Sequence, residues 1–216
     1  MKEIDVSKWK RKTPYECFSK YSNPVFSMTV RLDVTDLVQL SKRTKTSFFA
    51  NFLFVVTKCL NSIEDFRLRI TDDKVVVYDV ITPSYIIMND NGVIVTNQTE
   101  FTEDYKEFYQ RVRNDIEEAK QNLGQKSFNK QGQNDVFYIS CVRWVDFVGL
   151  NNPYNIPDAS QTSIPRIAWG KYVEENGRLK MSLDISAHHA LMDGFELSQG
   201  FISIQNALSN IEEFLK

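Results

Sequence analysis

The stretch that decides the fold is His188-His189-Ala190-Leu191-Met192-Asp193-Gly194, which contains both histidines of the chain. It follows a strand predicted over 179–186 and precedes an amphipathic helix predicted over 194–215. A second strand is predicted over 166–173, and Asn176-Gly177 between the two strands is the strongest short signal for a hairpin. The sequence therefore predicts that a hairpin strand carries the histidines to a turn, which then opens a helix.

The residue types in this turn suit catalysis. Histidine has an unperturbed pKa near neutrality, so it is the usual general base. Asp193 can order the loop that carries the base, and Gly194 permits a sharp turn. The alternative interpretation is a pair of core histidines capped by an Asp-Gly turn. The complete H-H-x-x-x-D-G pattern favours the catalytic interpretation.

Composition excludes several functional classes. The formal net charge of -2 over 216 residues gives no electrostatic argument for nucleic acid. Cys17, Cys59 and Cys141 are widely spaced without a C-x-x-C pair, so they suggest neither a disulfide framework nor a zinc site. The N-terminus lacks the apolar region of a signal peptide, and the longest apolar stretch, 48–56, is too short to span a bilayer. We therefore expect a cytoplasmic protein without membrane, metal or nucleic-acid contacts.

Strands and helices are mixed along the chain but do not alternate regularly, and no linker or repeat divides it. This order predicts one domain over 1–216 of the α/β (α+β) class, a two-layer sandwich with helices packed on a mixed β-sheet. The other predicted helices cover 36–45, 48–62 and 102–123. The other predicted strands cover 25–34, 66–70, 74–78, 84–88, 93–96 and 136–142. Polar loops are predicted over 124–134 and 151–165.

Five further short segments accompany the histidine motif in a fixed order. They are Trp9-Lys10-Arg11-Lys12, Phe66-Arg67, Tyr78-Asp79, Ser140-Cys141-Val142-Arg143-Trp144 and Gly170-Lys171-Tyr172. With these segments the chain resembles the chloramphenicol acetyltransferases over nearly its full length. That family shares the H-H-x-x-x-D-G pattern with the catalytic domains of dihydrolipoyl acyltransferases.

The resemblance implies a role for each polar residue of the motif. His189, rather than His188, is the general base that takes a proton from an acceptor hydroxyl, which then attacks the thioester of acetyl-CoA. Ser140 donates to the oxyanion of the tetrahedral intermediate. Asp193 pairs with Arg11 to shape the loop and is not a charge-relay carboxylate. The alternative for Ser140 is a serine at a strand end whose hydroxyl bonds to the backbone. The alternative for Arg11 is an ordinary surface arginine.

The resemblance also implies two binding surfaces and an assembly. Tyr172 matches an aromatic residue that covers the adenine of CoA, the alternative being an ordinary strand tyrosine. Cys17, Phe18, Phe128 and Leu150 fall at or near the acceptor pocket. The family forms homotrimers in which the base of one subunit faces a pocket built largely by its neighbour.

The chain departs from the family at several of these positions. Ala168 replaces a threonine that helps to position a water near the oxyanion, and Val142-Arg143 precedes Trp144 where x-Pro is usual. Cys17 stands where an aromatic residue is expected, and Asn152 where leucine is common. We therefore expect the acceptor pocket to be altered, so that chloramphenicol is a poor substrate or not the physiological one.

Three functions are compatible with these observations. The preferred one is a CoA-dependent O-acetyltransferase acting on chloramphenicol or a similar small hydroxylated molecule, with acetyl-CoA as co-substrate and no metal. The alternatives are a dihydrolipoyl-type acyltransferase with a thiol acceptor and a non-catalytic oligomeric binding module of the same fold.

Overall fold

The computed structural model describes residues 1–121 and 133–216. Its helices are α1 (Lys12–Phe18), α2 (Thr35–Thr44), α3 (Phe48–Asn61), α4 (Tyr105–Gln121), α5 (Ala159–Thr162), α6 (Gly194–Ser209) and α7 (Ile211–Phe214). Its strands are β1 (Lys2–Glu3), β2 (Val25–Asp33), β3 (Leu68–Thr71), β4 (Lys74–Val77), β5 (Thr82–Met88), β6 (Ile94–Gln98), β7 (Val136–Val142), β8 (Arg166–Gly170), β9 (Val173–Glu175) and β10 (Arg178–His188). No helix in this part of the chain is long and apolar enough to cross a membrane.

The strands form two sheets. The large sheet has the order β2-β10-β8-β7-β5-β6, with β9 paired to the start of β10. Its β7 lies parallel to β5 and β8, and its other pairs are antiparallel. The small sheet is antiparallel, in the order β1-β4-β3. The predicted mixed sheet with packed helices is confirmed.

The hairpin before the histidines forms as predicted. Asn176 and Gly177 have φ of 53° and 76°, and both positive values are required by the two-residue turn that joins β9 to β10. The strand entering the hairpin is interrupted, since β8 ends at Gly170 and β9 begins at Val173. The strand leaving it continues two residues beyond the predicted end, so that His188 is its last residue.

Several predicted elements differ from those observed. The loop predicted over 151–165 contains α5, and the helix predicted from 102 begins at Tyr105. The helix predicted over 194–215 is broken at Asn210, whose φ of -129° and ψ of 37° are not helical. The strand predicted from Phe66 begins at Leu68, because residues 64–67 form a 3-10 turn. The end of the helix predicted through Leu123 lies outside the described residues.

The main core lies between the helices and one face of the large sheet. Helix α3 is buried over most of its surface, as expected for a helix that is apolar on nearly all sides. It packs on α6 and contacts the sheet through Trp169, whose ring lies 5.0 Å from that of Phe52 and 5.6 Å from that of Phe49. This packing fixes the helices on one side of the sheet.

The opposite face of the large sheet is polar and lies beneath a loop. Ser140 pairs with Ala168, which pairs with Asp184, which pairs in turn with Thr29. Directly paired residues share a face, so these side chains form one row across four strands. Residues 146–158 cross this face, and Asp184 beneath them is fully buried. We call it the loop-covered face.

The contact between α6 and the 3-10 turn can be tested at Gly200. A Cβ atom there would lie 2.6 Å from Cζ of Phe66, a fully buried ring with no room to move. We expect Gly200→Ala to lower the free energy of unfolding by about 1 kcal/mol, since overpacking outweighs the gain in helix propensity. Gly149→Ala, whose Cβ meets nothing within 4 Å, is the control. Equal denaturant midpoints for the two variants would contradict this packing.

Candidate active site

The histidine turn is fixed by hydrogen bonds at both ends. The His189 N–H donates to the Pro24 carbonyl at 2.8 Å, which ties the turn to the start of β2. The Leu191 N–H donates to the His188 carbonyl at 2.9 Å. The carboxylate of Glu196 accepts from the Asp193 N–H at 2.9 Å, where α6 begins. The strand end, turn and helix start therefore form one ordered unit.

Arg11 holds this turn from the N-terminal segment. Its guanidinium donates to both carboxylate oxygens of Asp193, at 2.8 and 2.9 Å, and to the His189 carbonyl at 3.2 Å. The arginine side chain is only 6% exposed. Hydrogen bonding to Arg11 lowers the pKa of the Asp193 carboxyl, and Asp193 raises the pKa of Arg11 although burial opposes this. Both partners are therefore charged at neutral pH.

Asp193 also approaches the candidate base. Its Oδ1 lies 3.2 Å from Nδ1 of His189, but Nδ1 has no hydrogen-bond partner of proper geometry among the described residues. The two carboxylate oxygens are instead aligned with the Arg11 fork. This arrangement suits an aspartate that orients the turn.

Two aromatic rings contact the His189 imidazole. The Phe18 ring lies 3.8 Å away between centroids and nearly parallel, at 17°, while the Phe26 ring lies 4.5 Å away at 36°. The His189 side chain is 31% exposed. The rings restrict the plane of the imidazole while part of it remains accessible.

His188 has a different environment. It is 3% exposed, and its Nδ1 accepts from the Ala190 N–H at 3.2 Å. Burial, together with the nearby His189, lowers the pKa of His188 to about 4. His188 is therefore neutral at physiological pH and stabilises the end of β10.

Ser140 does not lie near His189 in one chain. Strand β7 runs parallel to β8 and therefore opposite to β10, so Ser140 lies towards one end of the sheet and His189 at the other. The row through Ser140 reaches β10 at Asp184, five residues before His189. This offset corresponds to roughly 16 Å along the strand and roughly 10 Å across two strand spacings. The side chains cannot meet across that distance.

Ser140 lines two cavities. One has a volume of about 390 Å³ and lies under the loop; the other, of about 410 Å³, lies towards α4. The first is also lined by Ser84, Ile86, Thr96, Tyr138, Ile139, Asn152, Pro153, Gln161 and Arg166. The second includes Ser47, Phe49, Arg113, Lys120, Arg143 and Trp144. Among the described residues, no group of three or more His, Cys, Asp or Glu side chains suits a metal ion.

Comparison with known proteins identifies the family of the chain. A family model described as chloramphenicol acetyltransferase matches residues 1–205. The chain belongs to the chloramphenicol acetyltransferase family. It is 28% identical to a chloramphenicol acetyltransferase of Proteus mirabilis, over 94% of this chain and 92% of that protein.

Solved structures agree on the family and the fold. A chloramphenicol acetyltransferase structure covers 100% of both chains at 27% identity with a TM-score of 0.86. A probable dihydrolipoamide acetyltransferase from Listeria monocytogenes has a TM-score of 0.65 at 16% identity, covering 96% of this chain and 93% of that one, and shows likeness of fold alone. The prediction of an acetyltransferase of the chloramphenicol acetyltransferase type is confirmed.

The remaining predicted residues of this family member are dispersed. Cys17 is exposed on α1, next to the Phe18 that stacks on His189. Leu150 is half-buried in the loop. The Tyr172 ring lies 5.5 Å from that of Phe48. Phe128 lies outside the described residues.

Three residues near these groups were not identified from the sequence. Phe26 contacts His189, and Glu196 lies 3.7 Å from the Arg11 guanidinium. Arg166 lines the smaller cavity with Ser140. The alternating pattern over 25–34 predicts that Phe26 lies on the apolar face of its strand. Only the pairing of β2 with β10 places it beside His189.

The Arg11–Asp193 pair predicts a stability effect. Arg11→Ala leaves the Asp193 charge without its partner, and we expect a loss of about 3 kcal/mol, the lower end for buried pairs since Asp193 is 41% exposed. Asp193→Asn should clearly lower the melting temperature, while the rate of the chemical step should change little. Arg43→Ala, which removes an exposed ion pair with Glu212, is the matched control and should have a much smaller effect. An unchanged melting temperature with lost activity in Asp193→Asn would refute the orienting role.

His188 predicts a pH dependence of stability. Its pKa is about 4 in the folded chain against an ordinary value of 6.5, so the unfolded chain binds more protons between pH 4 and 6.5. Stability should therefore fall as pH falls from 6.5 towards 4, by up to about 1.4 kcal/mol per pH unit. His188→Asn keeps an acceptor for the Ala190 N–H and should flatten the dependence. His189→Asn is the control; an equal flattening there would contradict the assignment, as measured by urea unfolding at several pH values.

Proposed function

We propose that this chain is a CoA-dependent O-acetyltransferase that transfers acetyl from acetyl-CoA to a hydroxyl of chloramphenicol or a similar small molecule. We propose further that it acts as a homotrimer with its active sites between chains. The observation that carries this proposal is the placement of His189 and Ser140 at opposite ends of the sheet. A base and an oxyanion donor so separated can act on one substrate only if they come from two copies.

His189 acts as the general base. Its Nε2 accepts the proton of the acceptor hydroxyl. The hydroxyl oxygen then bonds to the thioester carbonyl carbon and gives a tetrahedral intermediate. When the carbon–sulfur bond breaks, the imidazolium returns the proton to the sulfur of CoA.

Ser140 stabilises the oxyanion of that intermediate. Its hydroxyl lies on the loop-covered face between the two cavities, and its neighbour in the row, Ala168, has no side-chain donor. One oxyanion donor is worth about 3–4 kcal/mol of barrier. The serine therefore carries much of this stabilisation.

The larger cavity suits acetyl-CoA. Its lining includes the cations Arg113, Lys120 and Arg143, which match the phosphates of the co-substrate. The Tyr172 ring lies against Phe48, and Phe48 adjoins the cavity residue Ser47. Tyr172 thus offers a flat surface to the adenine. The acceptor then occupies the smaller cavity, on the other side of Ser140.

Exposed apolar residues support an assembly of several chains. Trp144, Val145 and Val148 follow β7 and are exposed, and Val148 is 91% exposed. Contiguous exposed apolar surface is typical of protein interfaces. The dihydrolipoyl-type alternative has the likeness of fold in its favour but no specific contact.

The base assignment predicts a kinetic result. We expect His189→Ala to lower the rate of acetyl transfer by about a hundred- to ten-thousand-fold while leaving CoA affinity nearly unchanged, since the imidazole acts on the acceptor. CoA release and equilibrium CoA binding are the measurements. His188→Ala should be milder and act through stability. An inactive His188→Ala beside an active His189→Ala would mean that the wrong histidine was assigned.

The shared site predicts complementation. His189→Ala and Ser140→Ala chains should each be nearly inactive alone, but after mild dissociation, mixing and reassembly about a quarter of the interfaces would pair an intact His189 with an intact Ser140. Activity should therefore return in the mixture. Mixing either variant with a chain carrying both substitutions is the control and should restore nothing. Light scattering checks the assembly, and a monomeric active enzyme would exclude the interfacial site.

A further inference from the structure

The smaller cavity beside Ser140 contains a cation. Arg166 pairs with Tyr138, two residues before the pairing of Ala168 with Ser140. Positions two apart on neighbouring strands share a face, so Arg166 and Ser140 are diagonal neighbours with roughly 7–8 Å between them. Both line the cavity of about 390 Å³.

Aromatic rings and the loop hold the Arg166 guanidinium in place. Its central carbon lies 4.0 Å from the ring centroid of Tyr154 and 5.6 Å from that of Tyr138. Its Nη1 donates to the Pro153 carbonyl. A guanidinium fixed in this way is oriented before any ligand arrives.

No carboxylate neutralises this cation in the part of the chain that the structure describes. Asp184, on the same face, is bonded to Thr29 at 2.7 Å and to Ser186 at 3.3 Å and forms no ion pair with Arg166. Residues 122–132 contain no Asp or Glu. Nε of Arg166 is buried without a hydrogen-bond partner among the described residues, and burial lowers the pKa of the guanidinium.

A carboxylate ligand would fit a cation that is held in a fixed orientation and lacks a counter-charge. It supplies the missing charge, and its two oxygens match the planar fork of a guanidinium. The short distance to Ser140 restricts the separation between that carboxylate and the reacting hydroxyl to a few bonds. Asn152 and Gln161, also in the lining, bond to Ser186 and Tyr138 at 3.4 Å and make this wall of the cavity polar.

We propose that Arg166 is a specificity-determining residue that selects a small hydroxylated carboxylic acid as the acyl acceptor and disfavours neutral acceptors such as chloramphenicol. The acetyl-transfer step in this proposal rests on the proposed function. The selection of the carboxylate is a matter of binding and can be measured without turnover.

The test compares two ligands of nearly equal shape, meta-(hydroxymethyl)benzoate and meta-(hydroxymethyl)benzamide. Calorimetric titration of the full-length protein should show the benzoate binding about ten- to a hundredfold more tightly. Arg166→Gln should reduce the ratio to about one, and Arg166→Lys, which keeps the charge without the fork, should give an intermediate ratio. Arg43→Gln, which removes an exposed cation on α2, should leave the ratio unchanged.

Equal affinities for the two ligands, failure of the benzoate to bind at millimolar concentration, or an unchanged ratio in Arg166→Gln would overturn the proposal. The wild-type titration decides by itself if the variants do not fold. Release of CoA from acetyl-CoA is measured on the same samples. A carboxylate preference without acetyl transfer to any hydroxyl would refute the proposed function and leave the selectivity of Arg166 intact.

Discussion

The register of β10 is the constraint on which the rest of the structure depends. This strand pairs with β2 over nine residues on one side and with β8 and β9 on the other. A shift of one residue would turn every side chain of the strand to the opposite face. Leu183 and Ile185 would then leave the core, and Asp184 would enter it. Because exposing two apolar side chains and burying a carboxylate in the core would cost free energy, the strand keeps its register. That register sets the polar row and the position at which the histidines leave the sheet.

The two faces of the large sheet are stabilised by different physics. On the helix side, burial of apolar surface by α3 and α6 supplies the stability. On the loop-covered side, buried polar groups need partners: Asp184 has Thr29 and Ser186, and Arg166 has two aromatic rings and a carbonyl. Polar groups of this kind contribute little net stability but restrict geometry. The face with the smaller apolar contribution is thus the one that carries Ser140 and Arg166 beside a cavity.

The sequence predicted what depends on local pattern and missed what depends on pairing. The histidine turn, the Asn176-Gly177 hairpin and the buried helix α3 follow from spacing and turn chemistry, and they form as expected. Arg69 shows the limit. It is fully buried with hydrogen bonds to four backbone carbonyls, two of them more than sixty residues away at 134 and 136. No local sequence pattern predicts a buried cation whose hydrogen-bond acceptors are all backbone carbonyls. Nor does any local pattern predict that Arg166 packs between two tyrosine rings.

The contact between Arg11 and Asp193 joins positions 182 residues apart. During synthesis Arg11 leaves the ribosome long before Asp193, because 181 residues separate them. Until then the arginine has no partner, and closing so long a loop costs roughly 5 kcal/mol of chain entropy. The candidate base therefore gains its final orientation only after Asp193 has been made, at the stage when α6 can also pack on α3. Loss of the segment that carries Arg11 would therefore disturb a turn that lies 182 residues further along the chain.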